Sequence, residues 1–183
     1  MVVASVSQRF ELCPFDDGTA SPALQLGGEI SREGSRLLLR LRLGGAIEAV
    51  HLPAPVVAPV RRDGLWSTTC FECLWGVEGE RPYWELNLSP AGHWNLYRLE
   101  DYRDGLTPEP GYDLPPHRVV RDAAELTLHL DLLLPQGLAE EAPLQVGITS
   151  VIEERSGRLS YWALSHPGAE PDFHRREAFQ LRL

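Results

Sequence analysis

Two stretches of the chain carry a leucine at nearly every second position: "RLLLRLRL" (36–43) and "ELTLHLDLLL" (125–134). A period of two belongs to a strand with one buried face, because successive side chains of an extended chain point to opposite sides. Leu37, Leu39, Leu41 and Leu43 therefore share a core face, with Arg36, Arg40 and Arg42 opposite and Leu38 as the exception. Leu126, Leu128, Leu130 and Leu132 repeat the pattern against Thr127, His129 and Asp131. Further strands are expected near 8–13, 24–31, 69–77, 82–89, 93–99, 116–121, 144–153, 158–165 and 177–183. With 15 prolines and 16 glycines as punctuation, about eleven short strands predict an all-β fold, an antiparallel β-sandwich of the jelly-roll kind. Only "QGLAEEAP" (136–143) reads as helical. The segment "HLPAPVVAPV" (51–60) reads as a crossing between sheets or an edge strand, since proline cannot donate to a central ladder. "TPEPGYDLPP" (107–116) reads as a long surface loop.

A chain of 183 residues fits one domain spanning 1–183. No run approaches the ~18 apolar residues of a membrane span, so no membrane partner is expected. The start "MVVASVSQRFELCPF" lacks the basic and apolar blocks of a secretory leader. Three cysteines cannot all pair within the chain, which favours a reducing compartment; a cytoplasmic location is expected. The net charge of −9 repels a phosphate backbone, and the pairs Arg61–Arg62 and Arg175–Arg176 are too short for a basic stripe, so nucleic acid is not an expected partner.

The stretch "PYWELNLSPAGHWNLYRLEDYR" (82–103) folds by hand into a hairpin. Pro90 presets a type I turn and Gly92 can take the left-handed conformation, giving a three-residue loop in which Ser89 faces His93. Leu88 then opposes Trp94, Leu86 opposes Leu96 and Trp84 opposes Arg98 on the core side. Asn87 meets Asn95 and Glu85 meets Tyr97 on the other. A two-residue loop would scatter the apolar residues over both faces, which a one-residue slip always does. The preceding "TCFECLWGV" (69–77) places Phe71, Cys73, Trp75 and Val77 inward. If "EGER" (78–81) closes the connection, Glu72 falls beside Asn87 and the next row holds Leu74, Glu85 and Tyr97, with Tyr83 close by. Cross-strand neighbours about 4.5–5.5 Å apart suit the hydroxyls of a sugar ring, and tyrosine supplies an apolar plate with a polar edge. The candidate ligand-binding residues are thus Glu72, Tyr83, Glu85, Asn87, Asn95 and Tyr97, with Trp66 of "RRDGLWSTT" as a possible stacking plate. Trp75, Trp84 and Trp94 read as core. The plain alternative is a solvated sheet face, where glutamate and asparagine are common.

Other chemistry is thinner. Cys70 and Cys73 spell C-x-x-C, yet positions three apart in a strand point to opposite faces, and no second pair completes a tetrahedral metal site; no metal site is expected. Glu72 and Glu85 are diagonal neighbours at roughly 7–8 Å between backbones, overlapping the carboxyl separation of inverting glycosidases, which keeps an acid-assisted glycan-processing enzyme as an alternative. "YWALSHPGAEPDFHRREAF" (161–179) gathers His166, Asp172 and His174 into one loop as three metal-ligating or hydrogen-bonding groups, of which His166 and His174 are further ligand-binding candidates; a packed connector is the plain alternative. Neither a nucleophile elbow nor a glycine-rich phosphate loop is present. A third alternative is a protein-interaction module whose polar face is covered by another chain; oligomeric state is not readable.

The blocks "GLWSTTCFECLW", "YWELNLSPAGHWNLYRLEDYRDG" and "SYWALSHPGAEPDFH" resemble the bacterial DOMON-like domain proteins, a group related to family 9 carbohydrate-binding modules. The resemblance spans 64–105 and 160–179 and implies a β-sandwich from a superfamily that binds sugars or haem. It places Trp66, Glu72, Glu85, Asn87 and Tyr97 where aromatic plates and polar strand residues hold a sugar. A second stacking tryptophan has no matching position. Haem would require an axial methionine, whereas the single methionine is Met1, so no cofactor is expected. The resulting expectation is a non-catalytic domain that recognises a saccharide or similar small polar ligand on one sheet face.

Overall fold

The computed structural model describes residues 6–113 and 116–183. Residues 1–5 and 114–115 lie outside the described residues, so the reading of the extreme N-terminus and the end of the 107–116 loop reading fall there. The strands are β1 (Val6–Pro14), β2 (Leu24–Glu33), β3 (Arg36–Gly45), β4 (Cys70–Val77), β5 (Tyr83–Leu88), β6 (Trp94–Leu99), β7 (Thr107–Pro108), β8 (His117–Arg121), β9 (Glu125–Leu133), β10 (Leu144–Glu153), β11 (Leu159–Ala163) and β12 (Leu181–Arg182). One layer runs β8-β9-β3-β2-β1 and the other β7-β6-β5-β4-β10-β11, with β12 also beside β10. Every strand pair is antiparallel. The end of β1 leaves β2 to pair with β11, Cys13 opposite Ala163 and Pro14 opposite Trp162, and so joins the layers. The all-β, jelly-roll-like sandwich expected from alternation is present.

The core lies between the two layers. Leu37, Leu39, Leu41 and Leu43 pair across β9 with Leu132, Leu130, Leu128 and Leu126, and all eight are buried while Arg36, Arg40 and Arg42 are exposed. From the other layer come Phe71, Cys73, Trp75, Leu86, Leu88, Trp94 and Leu96. Trp84 stacks on Trp75, with ring centres 6.3 Å apart and an interplanar angle of 10°. It is only half-buried, because its outer surface is capped by Arg98 and its Nε1 donates to Glu109 Oε2 at 2.9 Å.

Three local readings differ from the chain. "QGLAEEAP" forms successive turns without a helix; its span is too short to offset helix nucleation, and Arg32 ties the turns down by donating to the carbonyls of Ala139 and Ala142. The expected 177–183 strand is reduced to β12, preceded by a short 3-10 turn at Arg176–Ala178. The 107–116 loop contains β7, which pairs with β6 at Tyr97 and Arg98. Residues 51–60 form no strand but lie in the crossing from β3 in one layer to β4 in the other, the first of the two readings given for them; Val60 and Arg62 bond the backbone of Trp94 along the remaining edge of β6. No helix among the described residues is long and apolar enough to cross a membrane.

Gly28 on β2 permits one of the closest backbone approaches in the sandwich: a Cβ there would sit 1.9 Å from the Arg40 carbonyl oxygen on β3. Gly44, also in a strand, has open space around it. Gly28→Ala should therefore destabilise by about 2–4 kcal/mol, while Gly44→Ala stays within about 0.5 kcal/mol of the parent. Urea midpoints of the two variants check this, and equal midpoints would refute the close approach.

Candidate functional site

The hairpin forms in the predicted register. Gly92 has φ +104°, its N–H donates to Ser89 O at 2.9 Å, and Ser89 N–H donates to His93 O at 2.8 Å. Leu88 then opposes Trp94, Asn87 opposes Asn95 and Glu85 opposes Tyr97. On the next strand Glu72 opposes Asn87 and Leu74 opposes Glu85, and beyond it Thr149 opposes Glu72. The result is one row, Thr149–Glu72–Asn87–Asn95, running across β10, β4, β5 and β6 on the side of the layer away from the core. A second row holds Gly147, Leu74, Glu85 and Tyr97. Cys70 and Cys73 point to opposite faces as expected: Cys73 belongs to the core between the layers, whereas Cys70 lies 3.7 Å from Asn87 Oδ1 on the polar side.

The rows are recessed, where the sequence suggested an exposed face. Glu72 is 4% exposed, Glu85 5%, Asn95 3%, Tyr97 2% and Asn87 fully buried. The cover comes from two segments distant in sequence. Residues 61–69 bring Asp63 to Asn95 Nδ2 (3.0 Å) and to the Tyr97 hydroxyl (2.7 Å), both of which donate to Oδ1. They also set Trp66 edge-on to Tyr97, with centres 6.1 Å apart. From the C-terminal segment, His174 Nδ1 bonds the Tyr83 hydroxyl at 2.8 Å, Phe179 packs edge-on against Tyr83, and Phe173 packs edge-on against Tyr161 of β11. Trp66 remains 41% exposed. Trp66 against Tyr97 and Phe173 against Tyr161 thus set two aromatic rings on the polar side of this layer.

Of the nine residues singled out in the sequence, Trp66, Glu72, Tyr83, Glu85, Asn87, Asn95, Tyr97 and His174 are brought together here. His166 is not: its Nε2 bonds Cys13 O at 3.0 Å and its ring packs edge-on to Phe15, at the β1–β11 junction. Asp63, Thr149, Arg103 and Phe173 were missed. Asp63 sits in an Asp-Gly turn next to Trp66, a usable signal. The place of Thr149 depends on β10 pairing with β4, which no local pattern reveals.

The acids are held tightly. Thr149 Oγ1 donates to Glu72 Oε2 at 3.0 Å and Asn87 Nδ2 donates to Glu85 Oε1 at 2.8 Å. Glu85 Oε2 is buried without a hydrogen-bond partner, faced by His174 Nε2 at 3.8 Å. Burial first, and the neighbouring Glu85 second, push the Glu72 carboxyl up to about 8. Burial likewise raises Glu85. His174 is pushed down to about 4, by burial and then by the Arg103 guanidinium, so it is neutral at neutral pH and acts as a hydrogen-bonding group. The nearby cations are engaged elsewhere: Arg103 pairs with Asp172 at 3.0 Å, and Arg61 donates to Asn95 Oδ1 and to the carbonyls of Leu96 and Glu109. Such a floor can accept and donate hydrogen bonds to a polyol, with Trp66 as an apolar plate.

A concavity of about 1020 Å³ lies on the outer face of β1, β2 and β3. Its arginines and acids are interspersed, Arg42 pairing with Glu125, and no tryptophan or tyrosine lines it. The polar floor is the better site on chemistry, since it joins a buried, unpartnered carboxyl oxygen to an exposed ring.

No protein-family model matches the chain, and no curated protein does. Among solved structures it is similar to a candidate carbohydrate-binding protein from Bacteroides uniformis ATCC 8492, at 15% identity and TM-score 0.62, over 96% of this chain and 84% of that one. It is also similar to a family 9 carbohydrate-binding module from Caldicellulosiruptor kristjanssonii in complex with cellotriose, at 10% identity and TM-score 0.51, over 88% of this chain and 75% of that one. The likeness is one of fold.

Because the Glu72 carboxyl rises from its ordinary 4.5 to about 8 on folding, the folded state favours its neutral form. Its contribution to stability is full below pH ~4.5 and is lost as pH rises through about 8. Glu72→Gln, which cannot ionise, should flatten the decline between pH 5 and 9, leaving the variant more stable than the parent at the alkaline end by on the order of 1–3 kcal/mol. Denaturant unfolding across that range checks this; parallel pH profiles would contradict it.

Proposed function

We propose that the chain is a non-catalytic saccharide-binding domain whose site is the floor of Glu72, Glu85, Asn87 and Asn95 beside Trp66. The observation that carries this reading is the buried row of carboxyl and amide side chains next to a ring left 41% exposed. Within the row Glu85 Oε2 is buried without a hydrogen-bond partner, which is costly unless a ligand completes it, and an exposed indole beside it offers the stacking surface that sugar rings use. That the similar structures include a carbohydrate-binding module in complex with cellotriose adds support from fold alone. Kinship with the DOMON-like group, one domain over 1–183, and a cytoplasmic setting with three free thiols belong to the same proposal.

The raised Glu72 carboxyl keeps a second reading, acid-assisted glycan hydrolysis, in view. General acids do carry raised pKa values. Here, though, both carboxyls rise from adjacent strands of one floor and would meet the same side of a ligand, whereas hydrolysis needs them on either side of the bond being broken.

Calorimetric titration of a glycan panel that includes cellotriose should show saturable binding without turnover. Trp66→Ala should weaken it about tenfold or more, with Asn87→Ala comparable. Turnover abolished by Glu72→Gln would transfer the assignment to an enzyme. An absence of binding across the panel would remove the saccharide reading, and a dimer burying Trp66, seen by light scattering, would favour an interaction module.

A further inference from the structure

Resting on the saccharide reading, the two acids of the floor narrow the class of sugar. Each carboxyl has one oxygen committed to the protein, Glu72 Oε2 to Thr149 and Glu85 Oε1 to Asn87. Glu85 Oε2 is buried and unpartnered. Glu72 and Glu85 stand in neighbouring rows of neighbouring strands, close enough that each affects the other's ionisation. No fixed cation of the protein sits between them. Arg103 and Arg175 are held by Asp172, Arg61 is spent on Asn95 and two carbonyls, and His174 faces Glu85 as a neutral ring. Two adjacent carboxyls in a poorly solvated site repel when both are charged. A hydroxyl brings no charge to offset a second ionised carboxyl, so beside it the pair keeps its proton. An ammonium group brings three donors and a compensating charge.

We propose that the saccharide bound at this site carries a free amine, its ammonium group bridging Glu72 and Glu85. A divalent cation is a poorer fit to the same acids, since calcium takes six to eight oxygen ligands and no cluster of three or more metal-binding side chains occurs among the described residues. The half-exposed Trp66 ring beside the floor suits the same ligand, as an indole face attracts cations as well as sugar faces.

At neutral pH the two acids retain a proton, which the incoming ammonium displaces. The other titratable and charged groups facing the pair are Cys70, Tyr83, Tyr97 with Asp63, and His174 with Arg103 and Asp172. Cys70, Tyr83 and Tyr97 are pushed upward by burial and His174 down to about 4. The proton released near pH 7 therefore comes from the glutamate pair.

The test compares three trisaccharides of the same linkage by calorimetry at pH 7: cellotriose, its counterpart built from glucosamine with a free amine on each ring, and the N-acetylated form of that counterpart. The expected result is that the glucosamine trimer binds about tenfold or more tighter than the other two. It should also release roughly one proton, read from the dependence of the binding heat on buffer ionisation enthalpy. Glu85→Gln should abolish the proton release and bring the glucosamine trimer level with the N-acetylated form, whatever it does to the binding of cellotriose. Glu141→Gln, an exposed acid of the β9–β10 connection, should leave the amine preference and the proton release intact and so exclude general attraction to a chain of net charge −9. Should Glu85→Gln fail to fold, Glu72→Gln and the proton count serve in its place. Equal or weaker binding of the amine form, with cellotriose still bound, overturns this inference and leaves the saccharide reading standing. Failure of all three sugars overturns both.

Discussion

The left-handed backbone at Gly92 sets the register on which the rest of this molecule is built. By holding Ser89 opposite His93 it makes every later pair of the hairpin follow, and the pleat then sends Leu86, Leu88, Trp94 and Leu96 to one side and Glu85, Asn87, Asn95 and Tyr97 to the other. A shift of one residue would bury the amides between the layers and bring the indole of Trp94 out, a change no local adjustment could repair. Because β4 and β10 pair onto the same hairpin, the parity chosen at one turn extends to Glu72 and Thr149, four strands across.

What could be read in the chain was whatever rests on period-two alternation and turn chemistry. The leucines of β3 and β9, the facing of Glu72 to Asn87 and the opposed directions of Cys70 and Cys73 all follow from neighbours within a few residues or from adjacent hairpins. What could not be read was the cover. Asp63 reaches Tyr97 across more than thirty positions of sequence and His174 reaches Tyr83 across ninety-one, and neither separation leaves a local pattern. For this reason the polar rows looked like an open face in the sequence and are recessed in the fold. His166 was grouped with His174 because both lie in one loop; the loop passes over the β1–β11 junction before it turns back over β5, and the two rings part there.

The electrostatics of the floor follow from an unequal sharing of partners. The arginines near it are occupied by Asp172 and by backbone carbonyls, while the acids receive a threonine hydroxyl and an amide. Neutral donors satisfy part of each carboxylate without cancelling its charge, so burial, joined at Glu72 by the charge of Glu85, moves the carboxyls upward, and the charge of Arg103 offsets this at Glu85 only in part. Had Arg103 been free to reach Glu85, the same fold would present an inert ion pair. Its engagement with Asp172 preserves the acid pair as a chemically available surface.

The opposed thiols of β4 give the protein two built-in reporters. Cys70 is buried on the polar side of its strand, beside Asn87, and Cys73 in the core between the layers, while Cys13 lies exposed as an internal reference. An alkylating reagent would therefore register the lifting of the cover and the parting of the layers as separate events on a single strand. Their relative rates would give a direct measure of whether the floor opens by itself or only when the whole domain comes apart.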